Sequence, residues 1–570
     1  MFDRNKTNHL TGLLLIFLCS ILILLPQFFS GNLILGSDSI FHFNRFYDTA
    51  EQIKNVNFNY HISLYGFQQS GRIVNALYGP FIAYFHGFLV LISKNWFIYQ
   101  VLSNIVLFNL AGLSMYVFLI KSKMEQKYAV LGALLYISSY SIQYWTIRQG
   151  FTSWGAALMP LALSILFELK DTKQVPKYTL GIYTALMVQT HMLSSVLLVL
   201  IYLPFFALAF FQHPKKLVFI KRLFVEIGIF FGLTMNIWSS YFYLLTGNQL
   251  ISPKINTSMN LNTINQNSYY WLMNPVTLIP IFLLVYFFFF RKWKDLDSGM
   301  KTWFWVMNAF LFLTTSIFPW NDLIERRNPV AQLIQYPFRF FVPVTIILIY
   351  LALKFISTSL PFQKTRKKIF LSILVVSLIQ PTVLIATAVL DWNSSDNFLR
   401  NQYKVVFTGD SDTIKSSFYD VDKQKALELV AKGTPDYLPS YGQLAEQSSS
   451  YYDAYLTKVI QNQGFKKTRK KSGLTLEWQG DSTSFRELPI IVYKNTIITF
   501  NGQQLNNDLL NLSAIGTPTF QQLPNAKNSV TISYKMEATE KVMIIFSELA
   551  WLIILIVVLL KSVFSNKGKK

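Results

Sequence analysis

The sequence is poor in cysteine, histidine and charge, and each shortage argues against a class of protein. Its single cysteine, Cys19, lies inside an apolar run, which excludes a disulfide framework and a cysteine-based metal site. The six histidines show no metal-ligand spacing such as H-E-x-x-H, so we predict no metal site. Charged residues make up only 14% of the 570 residues, well below the share that is usual for soluble domains. The chain is therefore not expected to be a soluble protein.

Nucleotide-binding and hydrolase signatures are also lacking. The sequence has no Walker A motif, no G-x-G-x-x-G between a strand and a helix, and no G-x-S-x-G elbow. We therefore predict no cofactor and no cytoplasmic nucleotide-sugar donor, and leave a divalent cation requirement open. The net charge of +22 does not indicate a nucleic-acid partner, because lysine and arginine gather in short loops between apolar runs.

Apolar residues are abundant: 52% of the chain is hydrophobic and the mean hydropathy is +0.34. Runs long enough to cross a bilayer recur, which predicts a multi-pass protein of the cell membrane. The first run, Leu10 to Phe29, is interpreted as a retained span because no small-x-small cleavage site follows it. If every basic loop is cytoplasmic, about twelve spans result and both termini are cytoplasmic. The spans are expected near 9–30, 96–120, 128–146, 151–168, 177–190, 191–211, 222–246, 272–290, 302–318, 337–356, 369–390 and 542–562.

Two apolar stretches do not fit a simple span. Counting Ile73 to Ser93 as a span would place a basic loop outside, so we expect a juxtamembrane or re-entrant helix in a long first external loop, 31–95. This helix should begin near Pro80. The run 177–211 has basic residues at both ends, so it is expected to cross twice with a break near His191. A single tilted helix with an interfacial piece is the alternative.

The polar region 391–541 predicts a small external α+β domain before the last span. A helix is expected around Lys423 to Lys432, followed by strands that resemble a β-sandwich. The stretches with alternating hydrophobicity are Leu474–Trp478, Thr496–Phe500 and Val530–Tyr534. Asn501-Gly502, directly after the second stretch, is a hairpin turn signal. The predicted fold is therefore an α-helical polytopic membrane protein. Residues 1–390 form its transmembrane domain, 391–541 its external domain, and 542–570 its last span and basic cytoplasmic tail.

Chemically distinctive side chains follow the first span. Residues 36–45 read G-S-D-S-I-F-H-F-N-R, and Asp38, His42 and Arg45 fall at i, i+4 and i+7, on one face of a helix. A charged group this close to lipid is costly unless it is used or paired. The cluster is therefore a candidate site. The alternative is an interfacial cluster in which Asp38 caps the following helix.

Three further positions face the same leaflet in the predicted topology: Arg148 at the outer end of a span, His191 at the break, and Arg339 where a loop re-enters the membrane. Guanidinium groups can hold a lipid-linked phosphate bidentately, and a carboxylate can deprotonate an acceptor hydroxyl. The alternative for Arg148 and Arg339 is that their side chains only extend to the lipid head groups. The alternative for His191 is a polar side chain that is hydrogen-bonded inside the helix bundle. Our hypothesis assigns catalysis to Asp38 and His42, and substrate binding to Arg45, Arg148, His191 and Arg339.

This pattern resembles the GT-C superfamily of membrane glycosyltransferases, whose members use polyprenyl-phosphate sugars. The resemblance implies that the first external loop carries the catalytic carboxylate, here Asp38, and contains juxtamembrane helices. More closely, the chain is similar to bacterial YfhO-like and 6-pyruvoyl-tetrahydropterin-synthase-related membrane proteins, without any implied pterin chemistry. The motifs that carry this closer similarity are Gly36–Arg45, Arg148–Pro160, Thr190–Leu193, Gln335–Arg339, Pro435–Pro439 and Leu488-Pro489.

The sequence thus predicts a GT-C-type transferase embedded in membrane lipids. It would move a sugar from a polyprenyl-phosphate donor to a cell-envelope glycan or polymer on the outer face, and its Lys-rich composition fits a Gram-positive envelope. Two alternatives stay open. A transporter or flippase of a lipid-linked glycan would show charges near mid-membrane and inverted repeats. For a non-catalytic envelope assembly protein, Asp38 would be dispensable.

Overall fold

Helices dominate the chain up to residue 394 and recur at its C-terminal end. The computed structural model describes residues 4–359, 363–394, 398–399, 405–442, 448–470 and 473–567. Within these ranges the α-helices, numbered in chain order, are α1 Arg4–Ser30, α2 Ser39–Lys54, α3 Pro80–Ile92, α4 Trp96–Lys121, α5 Gln126–Ser138, α6 Tyr140–Arg148, α7 Thr152–Leu163, α8 Ile165–Thr172, α9 Thr179–Thr190, α10 Met192–Gln212, α11 Lys216–Gly247, α12 Tyr270–Met273, α13 Leu278–Arg291, α14 Ser298–Leu313, α15 Trp320–Glu325, α16 Pro329–Ile334, α17 Phe341–Ser359, α18 Gln363–Ala388, α19 Ser411–Ser417, α20 Gln424–Leu429, α21 Ser448–Tyr455 and α22 Ala538–Lys567.

Seven helical segments in the described ranges are long and apolar enough to cross a membrane. They are His9–Ser30, Trp96–Lys121, Thr152–Thr172, Met192–Gln212, Pro337–Ser359, Gln363–Asn393 and Ala538–Leu560. The chain is therefore a multi-pass membrane protein, while the count of twelve spans and the side of the termini stay predictions. The expected continuous span 128–146 is wrong in one respect: Ser139 is extended, with φ −69° and ψ 148°, and divides it into α5 and α6.

The chain divides into two structural units. Unit 1 comprises Met1–Asp38, Gln100–Ile227 and Ile255–Asn401, and unit 2 comprises Ser39–Tyr99, Gly228–Lys254 and Gln402–Lys570. Most of the predicted first external loop and the polar C-terminal region thus belong to the same unit.

Helix α17 is the central element of unit 1. Every residue from Phe341 to Leu353 is buried, which explains why the helix is apolar all round rather than on one stripe. At the middle of α17 the Tyr350 ring packs against Phe118, Phe167 and Trp303, with ring centroids 5.5–5.7 Å away. This aromatic group joins α4, α8, α14 and α17 into one core.

The basic loops of unit 1 gather at one end of its helices. The Lys123 ammonium lies 2.7 Å from a carboxylate oxygen of Asp171, and Lys170 lies 2.9 Å from a carboxylate oxygen of Asp297. Exposed pairs like these add little stability. Their value is geometric, because they bring the loops after α4, α8 and α13 together, as expected if these loops share one membrane face.

Unit 2 contains the predicted β-structure. Its strands are β1 Val405–Phe407, β2 Val430–Lys432, β3 Lys466–Lys470, β4 Gly473–Gln479, β5 Phe485–Glu487, β6 Thr496–Phe500, β7 Gln503–Leu505, β8 Asn511–Leu512, β9 Pro518–Gln521 and β10 Lys527–Tyr534. Antiparallel sheets run in the orders β3-β4-β10-β6-β7, β5-β9-β8 and β1-β2. The three predicted strands and the Asn501-Gly502 hairpin are confirmed, and both turn residues have positive φ. The helix expected over Lys423 to Lys432 is shorter, because its last three residues form β2.

The loop predicted to be the first external one is part of the core of unit 2. Ile73 and Leu77 are buried in one cluster with Leu438 and Ile491 of the C-terminal region. Fully buried Arg72 donates from Nη1 to the Thr434 carbonyl at 2.8 Å and from Nη2 to the Asp436 carbonyl at 2.6 Å. The predicted helix start is confirmed, since α3 begins at Pro80.

A buried acid–base pair lies at the start of α22. His61 Nε2 is 3.0 Å from a carboxylate oxygen of Glu540 and 3.0 Å from the Ser240 hydroxyl, and His61 and Glu540 are fully buried. The imidazole is stacked between the rings of Tyr60 and Tyr534. The pair joins the segment between α2 and α3 to the last helix within unit 2.

Candidate active site

A tight turn after α6 forms the base of the candidate site in unit 1. Helix α6 ends at Arg148, and Gln149 reverses the chain with a left-handed φ of 52°. The Gln149 amide donates to the Trp145 carbonyl at 2.8 Å, and the Gly150 amide to the Tyr144 carbonyl at 3.2 Å. Gly150 is required here, since a Cβ would lie 1.9 Å from the Tyr144 ring.

The segment that carries Asp38 lies directly on this turn. The Gly36 amide donates to Gln149 Oε1 at 2.7 Å, and the Asp38 amide donates to the Arg148 carbonyl at 3.4 Å. The Ser37 hydroxyl reaches the same carbonyl at 3.4 Å. The Gly36 and Arg148 backbones approach so closely that a Cβ on Gly36 would lie 2.3 Å from Arg148 Cα. The predicted base and one predicted phosphate ligand are therefore neighbours, held by main-chain contacts.

Arg339 belongs to a short 3-10 turn, Pro337–Phe340, just before α17. Its Nη1 donates to the Ile334 carbonyl at 2.8 Å and to Gln335 Oε1 at 3.2 Å. The guanidinium lies over the Tyr336 ring, with Cζ 5.1 Å from the ring centroid. Its Nε is buried and has no hydrogen-bond acceptor among the described residues. An unsatisfied buried donor costs about 1–3 kcal/mol, so a conformation in which this Nε met an additional acceptor would be favoured.

Tyr144 connects the two arginine positions. Its ring packs edge-on against Phe338, with centroids 5.7 Å apart, and against Trp271 at 5.4 Å. Phe338 directly precedes Arg339, so the turn that carries Arg339 lies against Tyr144. Next to it on α6, the Tyr140 hydroxyl is hydrogen-bonded to the Arg148 side chain. Asp38, Arg148 and Arg339 are thus gathered around two tyrosines at one end of the unit 1 helices.

His191 lies where the sequence predicts the break between two helices, which is confirmed: α9 ends at Thr190 and α10 begins at Met192. His191 Nδ1 accepts the Ser194 amide at 3.3 Å and caps α10. Because Nδ1 is an acceptor, the neutral ring carries its proton on Nε2. The Phe151 ring lies 6.2 Å from the imidazole, and Phe151 directly follows the turn at Gly150. His191 is therefore at the same end of unit 1 as Asp38 and Arg148.

His42 and Arg45 belong to unit 2, whereas Asp38 belongs to unit 1. Helix α2 begins at Ser39, so Asp38 lies in the turn before it. Arg45 is fully buried: Nε donates to Asn75 Oδ1 at 3.1 Å, Nη2 to the Tyr78 carbonyl at 2.8 Å, and Nη1 lies 3.2 Å from His42 Nδ1. Burial lowers the pKa of Arg45 to about 10.

These contacts give Arg45 and His42 a structural role in the core of unit 2. His42 is only 1% exposed and stacks on Phe46 with centroids 5.7 Å apart. The catalytic role of His42 and the substrate-binding role of Arg45 remain predictions.

Sequence reasoning did not assign roles to Tyr140, Tyr144 or Gln149. The usual signal for such a cap is a glycine in the left-handed position, but at the end of α6 that position is taken by Gln149. The side chain of the residue in that cap is then fixed, and here Gln149 is 1% exposed and holds the Gly36 amide.

No protein-family model matches this chain, and no curated protein matches its sequence. Two solved structures share an overall likeness. The first is the archaeal oligosaccharyltransferase AglB from Archaeoglobus fulgidus in complex with an inhibitory peptide and a dolichol-phosphate, with 14% identity, a TM-score of 0.41, and coverage of 79% of this chain and 63% of that chain. The second is the Archaeoglobus fulgidus oligosaccharyltransferase tethered to an acceptor peptide containing the NVT sequon, with 12% identity, a TM-score of 0.35, and coverage of 80% and 63%. This chain therefore spans less than two thirds of their length, and at these scores the likeness assigns neither a residue role nor an activity.

Proposed function

We propose that this protein is a membrane glycosyltransferase of GT-C type that uses a polyprenyl-phosphate-linked sugar. Its acceptor is a cell-envelope glycan or polymer on the outer face of the membrane. The observation that supports the proposal is the main-chain contact between Asp38 and Arg148, together with the packing of the turn that carries Arg339 against Tyr144 of the same helix end. One carboxylate and two guanidinium groups are the groups that such a transfer needs.

In the proposed reaction the Asp38 carboxylate takes the proton of the acceptor hydroxyl. The hydroxyl oxygen bonds to the anomeric carbon as the bond from that carbon to the phosphate oxygen breaks. The phosphate leaves with the electron pair and stays on the lipid. Its added negative charge is stabilised by Arg148 and Arg339, whose forked donors match phosphate oxygens.

The unused donor of Arg339 supports this assignment. Its Nη1 is engaged by the protein, which fixes the side chain, while the buried Nε has no acceptor among the described residues. A phosphate oxygen would supply that acceptor. An arginine that only snorkels to the bilayer surface would keep its head group in water, and Arg339 is instead partly buried.

The test is donor-dependent sugar transfer by purified protein in liposomes, with polyprenyl-phosphate sugars and envelope acceptor. Asp38→Asn should lower transfer about 100-fold or more. Arg339→Lys keeps the charge but loses the fork, and should weaken donor use by roughly 1–3 kcal/mol. Arg326→Lys is the matched control, because Arg326 is exposed in the same loop.

Each result has a clear consequence. Equal transfer by wild type and Arg339→Lys, with only Arg339→Gln impaired, would mean that charge alone matters at this position. Full transfer by Asp38→Asn would contradict the base assignment. If wild-type protein transfers no sugar but moves the lipid-linked glycan between leaflets, the protein is a flippase and the proposal fails.

A further inference from the structure

The last helix of unit 2 carries a carboxylate at the centre of its apolar length. From Val542 to Leu560, α22 contains one charged residue, Glu548. The candidate span Ala538–Leu560 places Glu548 ten residues from one end and twelve from the other. At 1.5 Å per residue these separations are about 15 and 18 Å, and the hydrocarbon core of a bilayer is about 30 Å thick. Glu548 is therefore near the middle of the membrane.

One side of α22 packs against α11 of the same unit. Ser547 Oγ donates to the Leu233 carbonyl at 2.9 Å, and Trp551 Nε1 donates to the same carbonyl at 2.8 Å. Successive residues of a helix are about 100° apart, so Glu548 lies roughly a quarter turn from Ser547. Glu548 is exposed, whereas Ser547 is only 1% exposed. The carboxylate is therefore on the surface of the span rather than inside the helix bundle.

The other carboxylate of α22 shows the contrast. Glu540, in the first turn, is fully buried and lies 3.0 Å from His61 Nε2. Among the residues that the structure describes, none forms a hydrogen bond or an ion pair with Glu548. A charged group inside a membrane span is costly, and such groups normally pair or face the interior of a bundle. Glu548 is thus suited to a partner from another molecule.

The exposed side of α22 that contains Glu548 has the spacing of a helix-packing seam. Ile545, Glu548, Leu552 and Leu555 follow one another at intervals of three, four and three residues, which places them on one face. The three apolar side chains of this Glu548 stripe are 44%, 50% and 54% exposed. Such a seam accepts a second helix, and a single polar residue in it selects the partner and its register.

We propose that the Glu548 stripe docks a membrane-spanning helix of another protein, and that this helix carries a lysine or arginine near its centre. The cation of that helix pairs with the Glu548 carboxylate, so that neither charge is left alone in the membrane. Ile545, Leu552 and Leu555 pack against its apolar side chains. Lipid alone would cover these three residues but would leave the carboxylate unpaired. A second copy of this chain would bring two Glu548 carboxylates together, and like charges repel. The inference is independent of the proposed transfer reaction.

The test uses synthetic leucine–alanine helices of about 20 residues, which are long enough to span a bilayer. Their central residue is lysine, leucine or glutamate, and each helix carries a fluorescence acceptor. The full-length protein with Cys19→Ser and Lys535→Cys is labelled with a donor at this exposed position before α22 and is placed with each helix in phosphatidylcholine liposomes. Energy transfer at increasing peptide-to-lipid ratio gives the apparent affinity. The lysine helix should bind about tenfold more tightly than the leucine helix, as expected for one hydrogen bond between charged groups.

The variants assign this preference to Glu548. Glu548→Gln should remove the preference for the lysine helix, and Glu548→Lys should transfer it to the glutamate helix. Glu537→Gln is the matched control, because Glu537 is exposed just before α22 and outside the span, and it should keep the wild-type preference.

Three results would overturn the proposal. Equal binding of the lysine and leucine helices by the wild type would mean that the stripe only contacts lipid. A lysine preference that survives Glu548→Gln would place the docking site elsewhere. Energy transfer between separately labelled copies of the protein, without any peptide and lost in Glu548→Gln, would mean that a second copy occupies the stripe.

Discussion

The contact between Gly36 and the turn after α6 gives the sharpest test of how Asp38 is positioned. In Gly36→Ala the new Cβ would lie 2.3 Å from Arg148 Cα and 2.4 Å from its carbonyl carbon. Carbon atoms in contact are normally about 3.5–4.0 Å apart, so the segment must move by ~1 Å or more. The atoms that the new Cβ would meet belong to the Arg148 backbone, so no flexible side chain can move aside to relieve the contact.

The displacement removes contacts whose cost can be estimated. Two hydrogen bonds, from the Gly36 amide to Gln149 and from the Asp38 amide to Arg148, depend on this approach. At about 0.5–1.5 kcal/mol for each, the free energy of unfolding should fall by ~1–3 kcal/mol. A shift of ~1 Å in a reacting group can cost about 100-fold in rate, so sugar transfer should fall much more than stability does.

The assay is donor-dependent transfer in liposomes, together with the unfolding midpoint of the same preparations. Gly228→Ala is the control, because a Cβ at Gly228, inside α11, would meet nothing within 4 Å. That variant should transfer sugar normally and be unchanged or more stable by up to ~1 kcal/mol. Wild-type transfer by folded Gly36→Ala would refute the argument that this contact positions Asp38.

Three further predictions concern topology, pH and the buried pair. In a Cys19→Ser background, a cysteine at exposed Asn55 should react with an impermeant thiol reagent in intact cells and one at exposed Ser298 should not; the reverse labelling would overturn the predicted orientation. Burial raises the pKa of Asp48 to about 6, above its ordinary 3.8, so the native state binds this proton more strongly. Its stabilising contribution should be full below about pH 4 and lost as the pH rises through 6, and unfolding midpoints of Asp48→Asn should lack this decline. Glu540→Gln removes the carboxylate beside His61 and should lower the free energy of unfolding by ~1–3 kcal/mol in denaturant titrations, the range for a lost contact to a charged group; an unchanged or higher free energy would contradict a stabilising pair.

Features with a local cause could be predicted from the sequence. Pro80 starts a helix because its fixed φ suits the first turn, and Asn501-Gly502 forms a hairpin because both residues accept positive φ. The break at His191 followed from charge at both ends of an over-long apolar run. Each signal lies within a few residues of the feature that it predicts, or in the flanking loops.

The positions of Asp38, His42 and Arg45 could not be predicted in this way. Their spacing suggested one helix face, but α2 begins after Asp38, and two of the partners of buried Arg45, Asn75 and Tyr78, are 30 and 33 residues away in sequence. Burial of a cation depends on which distant carbonyls and amides surround it. The closeness of Asp38 and Arg148 likewise depends on two backbone segments that meet at Gly36. A contact between backbones has no characteristic pattern of side chains in the sequence, so it could not be predicted.

The mixed origin of the unit 2 core has a consequence for biosynthesis. During synthesis Arg72 emerges 364 residues before Asp436, whose carbonyl accepts its hydrogen bond. Ile73 emerges 420 residues before Tyr493, whose hydroxyl accepts the hydrogen bond from its amide. At about 5–20 residues per second, the ribosome needs roughly 20–70 s to supply the first of these partners. During that time the emerged loop exposes apolar surface without its core, which makes it a substrate for chaperones and proteases. Truncated fusions that end before residue 436 would therefore report on an immature loop.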